Sequence, residues 1–306
     1  MKKRWTLEMN QSLFFRISLI DALNLILLLI ITALYLFSFE RTPYQAVLGL
    51  VYVALSLWIF LTAWLRTRNL ASQWRHFLMF MGPVIFLFAI FESFYMLLPY
   101  FNPHRHDMLL AQIDYRLLGV SPTIWLEQWV RPWLTEILYL SYLFYFPMPL
   151  IILGWLYKKD KFAEIEQALF MFLICYYGAY ITYFFIPAAG PRFFLHDSYT
   201  VTLKGLVFSE PIRRLISTLE PNKLDAFPSL HAAILAMTMH VSRRHNKKIF
   251  WWLSPVALAI LISLLYCRFH YFIDVVIGLL WAGLVILLAP KVYDRLKIKF
   301  IRHFRS

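Results

Sequence analysis

Tyr266-Cys267-Arg268-Phe269-His270-Tyr271-Phe272-Ile273-Asp274-Val275 stands at the junction of two apolar runs, Phe250–Cys267 and Val275–Pro290. An arginine, a histidine and an aspartate crowd into ten residues between stretches that hold no other charge. Runs of this length and composition read as membrane-spanning helices, which need about 20 mostly apolar residues each. Moving outward, six more stretches of the same kind appear: Leu23–Phe39, Tyr44–Leu65, Phe77–Pro99, Leu134–Tyr157, Ala168–Pro187 and Pro228–Val241. The spans ending at Val241 and Pro290 are short, and a further turn at one end would complete either. The expected fold is therefore an all-α integral membrane bundle of about eight transmembrane helices.

Composition supports this class. Hydrophobic residues make up 61% and charged residues 15% of the chain, where a soluble domain holds roughly a quarter charged residues. The aromatic share of 19% suits Trp and Tyr belts at two bilayer interfaces. A net charge of +13 does not indicate nucleic acid, because the basic residues lie in short runs between apolar segments. Such runs orient a membrane protein and meet anionic headgroups. Cys175 and Cys267 form no Cys-x-x-Cys pair and read as buried thiols rather than redox or zinc ligands. The opening Met1-Lys2-Lys3-Arg4 precedes an apolar run without a small-residue cleavage site, so the first span is expected to be retained.

Eight spans put both termini on one side of the membrane. That side carries twenty Lys and Arg residues, including those of the Arg243–Lys248 loop, against ten on the other. The positive-inside rule then places the termini in the cytoplasm. The opposite face (periplasmic, extracellular or lumenal) holds two long loops, Tyr100–Trp133 and Ala188–Phe227. Within the first, Ile124–Val130 is expected as an amphipathic interfacial helix, while the second reads as a long structureless but ordered loop. Asp21 is expected to be solvated at the cytoplasmic edge of the first span.

Three polar segments fall on the non-cytoplasmic face: Pro187–Arg192, Ala226–Ala233 and Tyr266–Val275. Ionisable groups at this depth are costly and mark function. Pro228-Ser229 reads as a helix start, which puts His231 in a first turn where free N–H groups and the helix dipole favour phosphate. Alone, His231 would more often be a satisfied interfacial histidine. His270 and Asp274, four apart, would share a helix face, with Asp274 accepting the ring N–H of His270 and leaving the other nitrogen nucleophilic. Arg192 and Arg268 offer planar forks for phosphate oxygens, and either could instead anchor a lipid headgroup. Ser229 is a cap or a phosphate ligand. His104-Arg105-His106-Asp107 has metal-ligand chemistry but nothing to complete a site, so neither metal nor cofactor is expected. Asp114, Glu127 and Glu136 lie nearby and are candidates for shaping headgroup entry, while Lys204, Arg213, Arg214 and Lys223 read equally as a solvated loop face or as a lid attracting anionic substrate.

At these residues the chain resembles the type 2 phosphatidic acid phosphatase superfamily, whose motifs are Lys-x6-Arg-Pro, Pro-Ser-x-His and Ser-Arg-x5-His-x3-Asp on six helices. Pro228-Ser229-Leu230-His231 matches the second motif in full, and His270-x3-Asp274 matches the catalytic half of the third. Phe185 and Phe193 replace the lysine and proline of the first, and Leu264 stands where the third has arginine. The Arg268-Phe269-His270-Tyr271 style and the eight spans look more like the inositol phosphorylceramide synthase branch of lipid phosphotransferases. The resemblance implies a two-helix extension (1–76), a six-helix catalytic core (77–290) and a basic tail (291–306). It further implies a phosphohistidine on His270, with Asp274 orienting it and His231 as general acid, and a phospholipid or sphingolipid substrate. Headgroup transfer, plain lipid phosphate hydrolysis and non-catalytic lipid binding or transport are the three functions it leaves in view. A transporter would more naturally show inverted repeats, which the sequence lacks.

Overall fold

The computed structural model describes residues 17–68, 72–219 and 224–303. It is all-helical: α1 (Leu19–Phe37), α2 (Gln45–Leu65), α3 (Ser72–Glu92), α4 (Phe94–Phe101), α5 (Asp107–Leu118), α6 (Pro122–Trp125), α7 (Pro132–Phe144), α8 (Met148–Lys158), α9 (Phe162–Phe185), α10 (Pro191–Phe194), α11 (Ser209–Leu219), α12 (Leu230–His245), α13 (Lys247–Tyr266) and α14 (Phe272–His303). Helices are what apolar runs must form in lipid, since every backbone polar group has to be satisfied within the segment.

Among the described residues, five helices (α1, α2, α9, α13 and α14) are long and apolar enough to cross a membrane. Two bent pairs bring the number to seven: α3–α4, bent by 45°, and α7–α8, bent by 44°. The remaining expected span is α12, whose 16 residues fall short of a full crossing. It packs against α8, α9, α13 and α14, so its small and apolar face (Ala232, Ala233, Leu235, Met237) is buried in protein rather than lipid. The helical hairpin α1–α2 docks on α3, and α1 reaches α9 and α14. The segment after Pro290 is no separate tail, because α14 continues through Pro290 to His303.

Asp21 departs from expectation. It is 2% exposed, accepts the Ser18 N–H at 2.7 Å in a reciprocal cap of α1, and pairs with Arg66 at the end of α2. The two charges neutralise each other and hold the hairpin shut, which solvation of either would not do.

The two long loops are also more ordered than their sequences suggest. In place of an amphipathic interfacial helix, residues 122–129 form one α-helical turn followed by a 3-10 turn over Leu126–Trp129. Helix α5 precedes them. The 188–227 segment contains α10, a second 3-10 turn (His196–Ser198) and the strongly amphipathic α11.

Candidate active site

The three polar segments meet at one end of the bundle, and each pair of them is tied by a backbone hydrogen bond. Ala226 N–H donates to Ala188 O at 3.0 Å, Arg192 N–H to Arg268 O at 2.9 Å, and Ser229 N–H to Asp274 O at 3.0 Å. Gly190 sits where the first and third segments touch. Its φ of +90° suits glycine, and a Cβ there would lie 2.7 Å from the Phe269 carbonyl.

Four carboxylates from α5, the 126–129 turn and α7 hold these segments in place. Asp107 accepts the Ala189 and Gly190 amides at 3.0 and 2.9 Å and the Tyr271 hydroxyl at 3.0 Å. Asp114 caps α14, accepting Phe272 N–H at 2.7 Å and Ile273 N–H at 2.9 Å. Burial raises the Asp114 carboxyl above its ordinary range, and the two amides pull it part of the way back. Glu136 accepts the amides of Leu206, Val207, Phe208 and Ser209 at the start of α11, an anion at a helix N-terminus. Glu127 accepts the Thr200 and Val201 amides, the Thr200 hydroxyl and Arg268. Burial alone would raise Glu127, but these donors, the Thr200 hydroxyl foremost, more than reverse it and leave the carboxyl below its usual range. Asp107, Asp114, Glu127 and Glu136 thus organise backbone. The His104–Asp107 segment is a brace through Asp107, and among the described residues no group of three or more His, Cys, Asp or Glu is placed to hold a metal ion.

Ser229 is the N-cap of α12, its hydroxyl accepting Ala232 N–H at 3.3 Å, and it is fully buried. His231 therefore lies in the first turn, as the helix-start reading expects. Its Nδ1 stands 3.1 Å from His270 Nε2, and its Nε2 stands 2.9 Å from the Tyr142 hydroxyl on α7.

The expected His270–Asp274 geometry is different. Helix α14 begins at Phe272, so His270 precedes the helix and the four-residue spacing does not place the two on one helical face. His270 Nδ1 lies 3.0 Å from Ala226 O and 3.6 Å from Asp274 Oδ2. The hydrogen-bond acceptor is the carbonyl. Asp274 Oδ2 instead accepts Tyr271 N–H at 2.9 Å, leaving the carboxylate a close electrostatic neighbour of the ring.

A carbonyl can only accept, and this orders the whole chain. His270 donates Nδ1–H to Ala226, so its Nε2 carries the lone pair. His231 must then donate Nδ1–H to that lone pair, and Tyr142 must donate its hydroxyl to His231 Nε2. The chain Tyr142→His231→His270→Ala226 runs in one direction, with the His270 Nε2 lone pair accepting from His231 Nδ1–H.

Arg192, Asp225, Ala226 and Phe269 join these residues around a cavity of ≈ 30 Å³, room for about two waters at most. The Arg192 guanidinium lies over the Phe193 and Phe269 rings, 4.5 and 5.2 Å from their centroids. It lines both this cavity and a larger neighbouring chamber. Arg268 (φ +64°) stands further back, paired with Glu127 at 2.7 Å and 3.7 Å over the Tyr199 ring. Lys204 and Arg213 line the larger chamber, Arg214 pairs with Glu210, and Lys223 lies outside the described residues.

Tyr142, Asp225 and the Ala226 carbonyl were not singled out from the sequence. The available signal for Tyr142 was the spacing Tyr139-x2-Tyr142-x2-Tyr145, which lines one face of an otherwise apolar helix. Tyr142→Phe keeps the ring stacked on Phe269 (centroids 4.2 Å apart) but removes a hydrogen bond worth about 1.5–3 kcal/mol when the partner is charged. If His231 transfers a proton, kcat should fall about 10- to 100-fold with KM little changed. Equal kcat in the two proteins would show that the contact is only structural.

A multi-pass helical membrane protein with paired histidines at one end of its bundle is the class this architecture defines. A family profile described as the PAP2 superfamily matches residues 108–288, and the chain belongs to that superfamily. The match runs from α5 through α14 and leaves α1–α4 outside. A PA-phosphatase related-family protein of Dictyostelium discoideum is 30% identical over 161 residues, which is 46% of this chain and 29% of that relative. The similarity therefore spans less than a third of the relative's length. No solved structure matches the chain.

Proposed function

We propose that the protein cleaves a phosphate ester of a membrane lipid through a phosphohistidine on His270. The observation that supports this best is the one-way hydrogen-bond chain, which keeps His270 Nε2 unprotonated beside the cavity that Arg192 shares; an entering phosphoryl group replaces its bond from His231. In the substrate-loaded site, His231 carries one extra proton and donates Nε2–H to the Tyr142 oxygen. His270 Nε2 attacks phosphorus, the bond from phosphorus to the leaving oxygen breaks, and His231 Nδ1–H passes to that oxygen. Phosphorylated His270 keeps Nδ1–H on the Ala226 carbonyl and gains positive charge, which the buried Asp274 carboxylate stabilises at 3.6 Å. Water or a lipid alcohol then attacks phosphorus, returns its proton to His231 and frees His270. Arg192 and the first-turn N–H groups of α12 other than that of Ala232, which Ser229 holds, bind the equatorial oxygens. Arg268 acts from behind through Glu127 and Tyr199, and Ser229 through the helix cap.

Either hydrolysis or headgroup transfer completes this sequence. Tyr139, Tyr142, Phe193 and Phe269 form an aromatic wall that limits water and favours a lipid acceptor, either a phospholipid- or a sphingolipid-type alcohol. Purified protein given a labelled lipid phosphomonoester and a labelled phosphodiester, each with and without diacylglycerol or ceramide, separates the outcomes. Headgroup capture by the acceptor supports transfer, and release of free phosphate alone supports a lipid phosphatase. No metal takes part in this scheme, so turnover should continue in excess chelator. Loss of activity restored only by added divalent ion would overturn it.

We also propose that both termini and the Arg243–Lys248 loop are cytoplasmic and that the histidine pair opens to the other face, from the charge asymmetry of the sequence. Single cysteines introduced at Lys248 and Arg105 should label from inside and outside intact cells respectively. Outside labelling at position 248 would invert the orientation.

A further inference from the structure

Beside the small histidine cavity lies a chamber of ≈ 740 Å³, within the size range that holds drug-sized ligands. Phosphate alone would leave most of it empty. Arg192 and Phe269 border both spaces, so a substrate with its phosphorus at His270 extends its headgroup into this chamber.

The charge of the chamber is uneven. Its lining carries Arg192, Lys204, Arg213 and Arg268 against Glu210 alone. Arg268 is already balanced by Glu127. On α11, one carboxylate serves two arginines: Glu210 receives Arg213 Nε and Nη2 at 2.9 and 2.8 Å and Arg214 Nε at 3.0 Å. Lys204 has no side-chain ion pair or hydrogen bond among the described residues. Positive charge therefore exceeds negative where Lys204 and α11 border the chamber. The hydroxyl-bearing residues Thr202 and Ser217 also line this chamber.

This border is held in position by hydrogen bonds. Glu136 gathers four consecutive amides at the start of α11, and Gly205 N–H donates to Ser209 Oγ at 2.8 Å. Lys204 precedes that anchored turn and Arg213 follows it by one turn of helix.

We propose that Lys204 and Arg213 form a second anion subsite, which takes a further phosphate on the lipid headgroup beyond the ester that meets His270. This deepens, and rests on, the phosphoester reading of the histidine pair. The subsite selects headgroups bearing two separated phosphates over those bearing one. Neither residue touches the scissile group, so a plain lipid phosphomonoester gains nothing from them.

The test separates binding from turnover. In the full-length His270→Ala protein (His270→Gln where alanine does not fold), glucose 1,6-bisphosphate and glucose 1-phosphate are titrated by calorimetry. The bisphosphate should bind about tenfold more tightly, the scale of charged hydrogen bonds at a partly exposed site. Adding Lys204→Gln and Arg213→Gln should remove that preference, and Lys204→Arg should retain it. In protein with His270 intact, the same glutamine pair should leave turnover of phosphatidic acid unchanged. Equal affinity for the two sugars, or a preference that survives the glutamine pair, would overturn the subsite. A preserved preference in a protein that cleaves no phosphate ester would instead overturn the catalytic reading and leave the subsite standing.

Discussion

Replacing His270 with alanine is expected to abolish turnover, by about 10⁴-fold or more if it is the nucleophile of a covalent mechanism. The loss should not be a folding effect. His270 is 4% exposed, but the backbone bonds that join the three segments run between Ala226 and Ala188, Arg192 and Arg268, and Ser229 and Asp274 and do not use its ring. Chromatographic behaviour in detergent should therefore match the parent protein. His231→Ala should cost less, about 10²–10⁴-fold, and recover with substrates whose leaving group needs no proton. A His231 variant that gains nothing from a good leaving group would show that His231 is not the acid.

The second large effect is expected away from any titrating group. Gly278 lies on α14 one turn beyond Asp274, where α14 crosses the start of α12. A Cβ at this position would overlap the backbone carbonyl of Ser229, which cannot rotate away as a side chain could. Gly278→Ala should push the α12 N-terminus off α14 and strain the Ser229 N–H bond to Asp274 O. Overpacking of this kind costs about 1–3 kcal/mol, and misplacing His231 by about 1 Å adds a rate loss of about 10²-fold. A thermal melt and a rate assay read the two parts separately. Gly283→Ala, where a Cβ meets nothing within 4 Å, serves as the matched control. If both variants behave like the parent, the close approach of the two helices is not as described.

The helices were legible because lipid enforces them. An apolar run has one way to satisfy its backbone, and the Ser229 cap marked the start of α12 by local chemistry that the structure bears out. The loops were not legible because their order comes from distant partners. Helix α11 has its first turn fixed by Glu136, about seventy residues earlier in the chain, so nothing next to it announces a start. The spacing of His270 and Asp274 misleads for the same reason. It presumes a helix already running at His270, whereas Asp114 caps α14 at Phe272 from 158 residues away. Asp21 read as solvated because its partner, Arg66, sits across a helical hairpin. In each case the residue type was visible and the contact that gives it meaning was long-range. Tyr142 shows the limit most plainly: an apolar helix tolerates a tyrosine for many reasons, and only the His231 ring at 2.9 Å distinguishes this one.

The covalent step itself can be observed directly. Full-length protein mixed with a lipid substrate labelled at phosphorus and quenched in alkali within the first turnover should retain label that is stable to base and labile to acid. Mass spectrometry should place that label on His270 in the parent protein and find none in His270→Ala. Label on another residue, or turnover with no trapped intermediate on His270 even when the second step is slowed, would contradict the account.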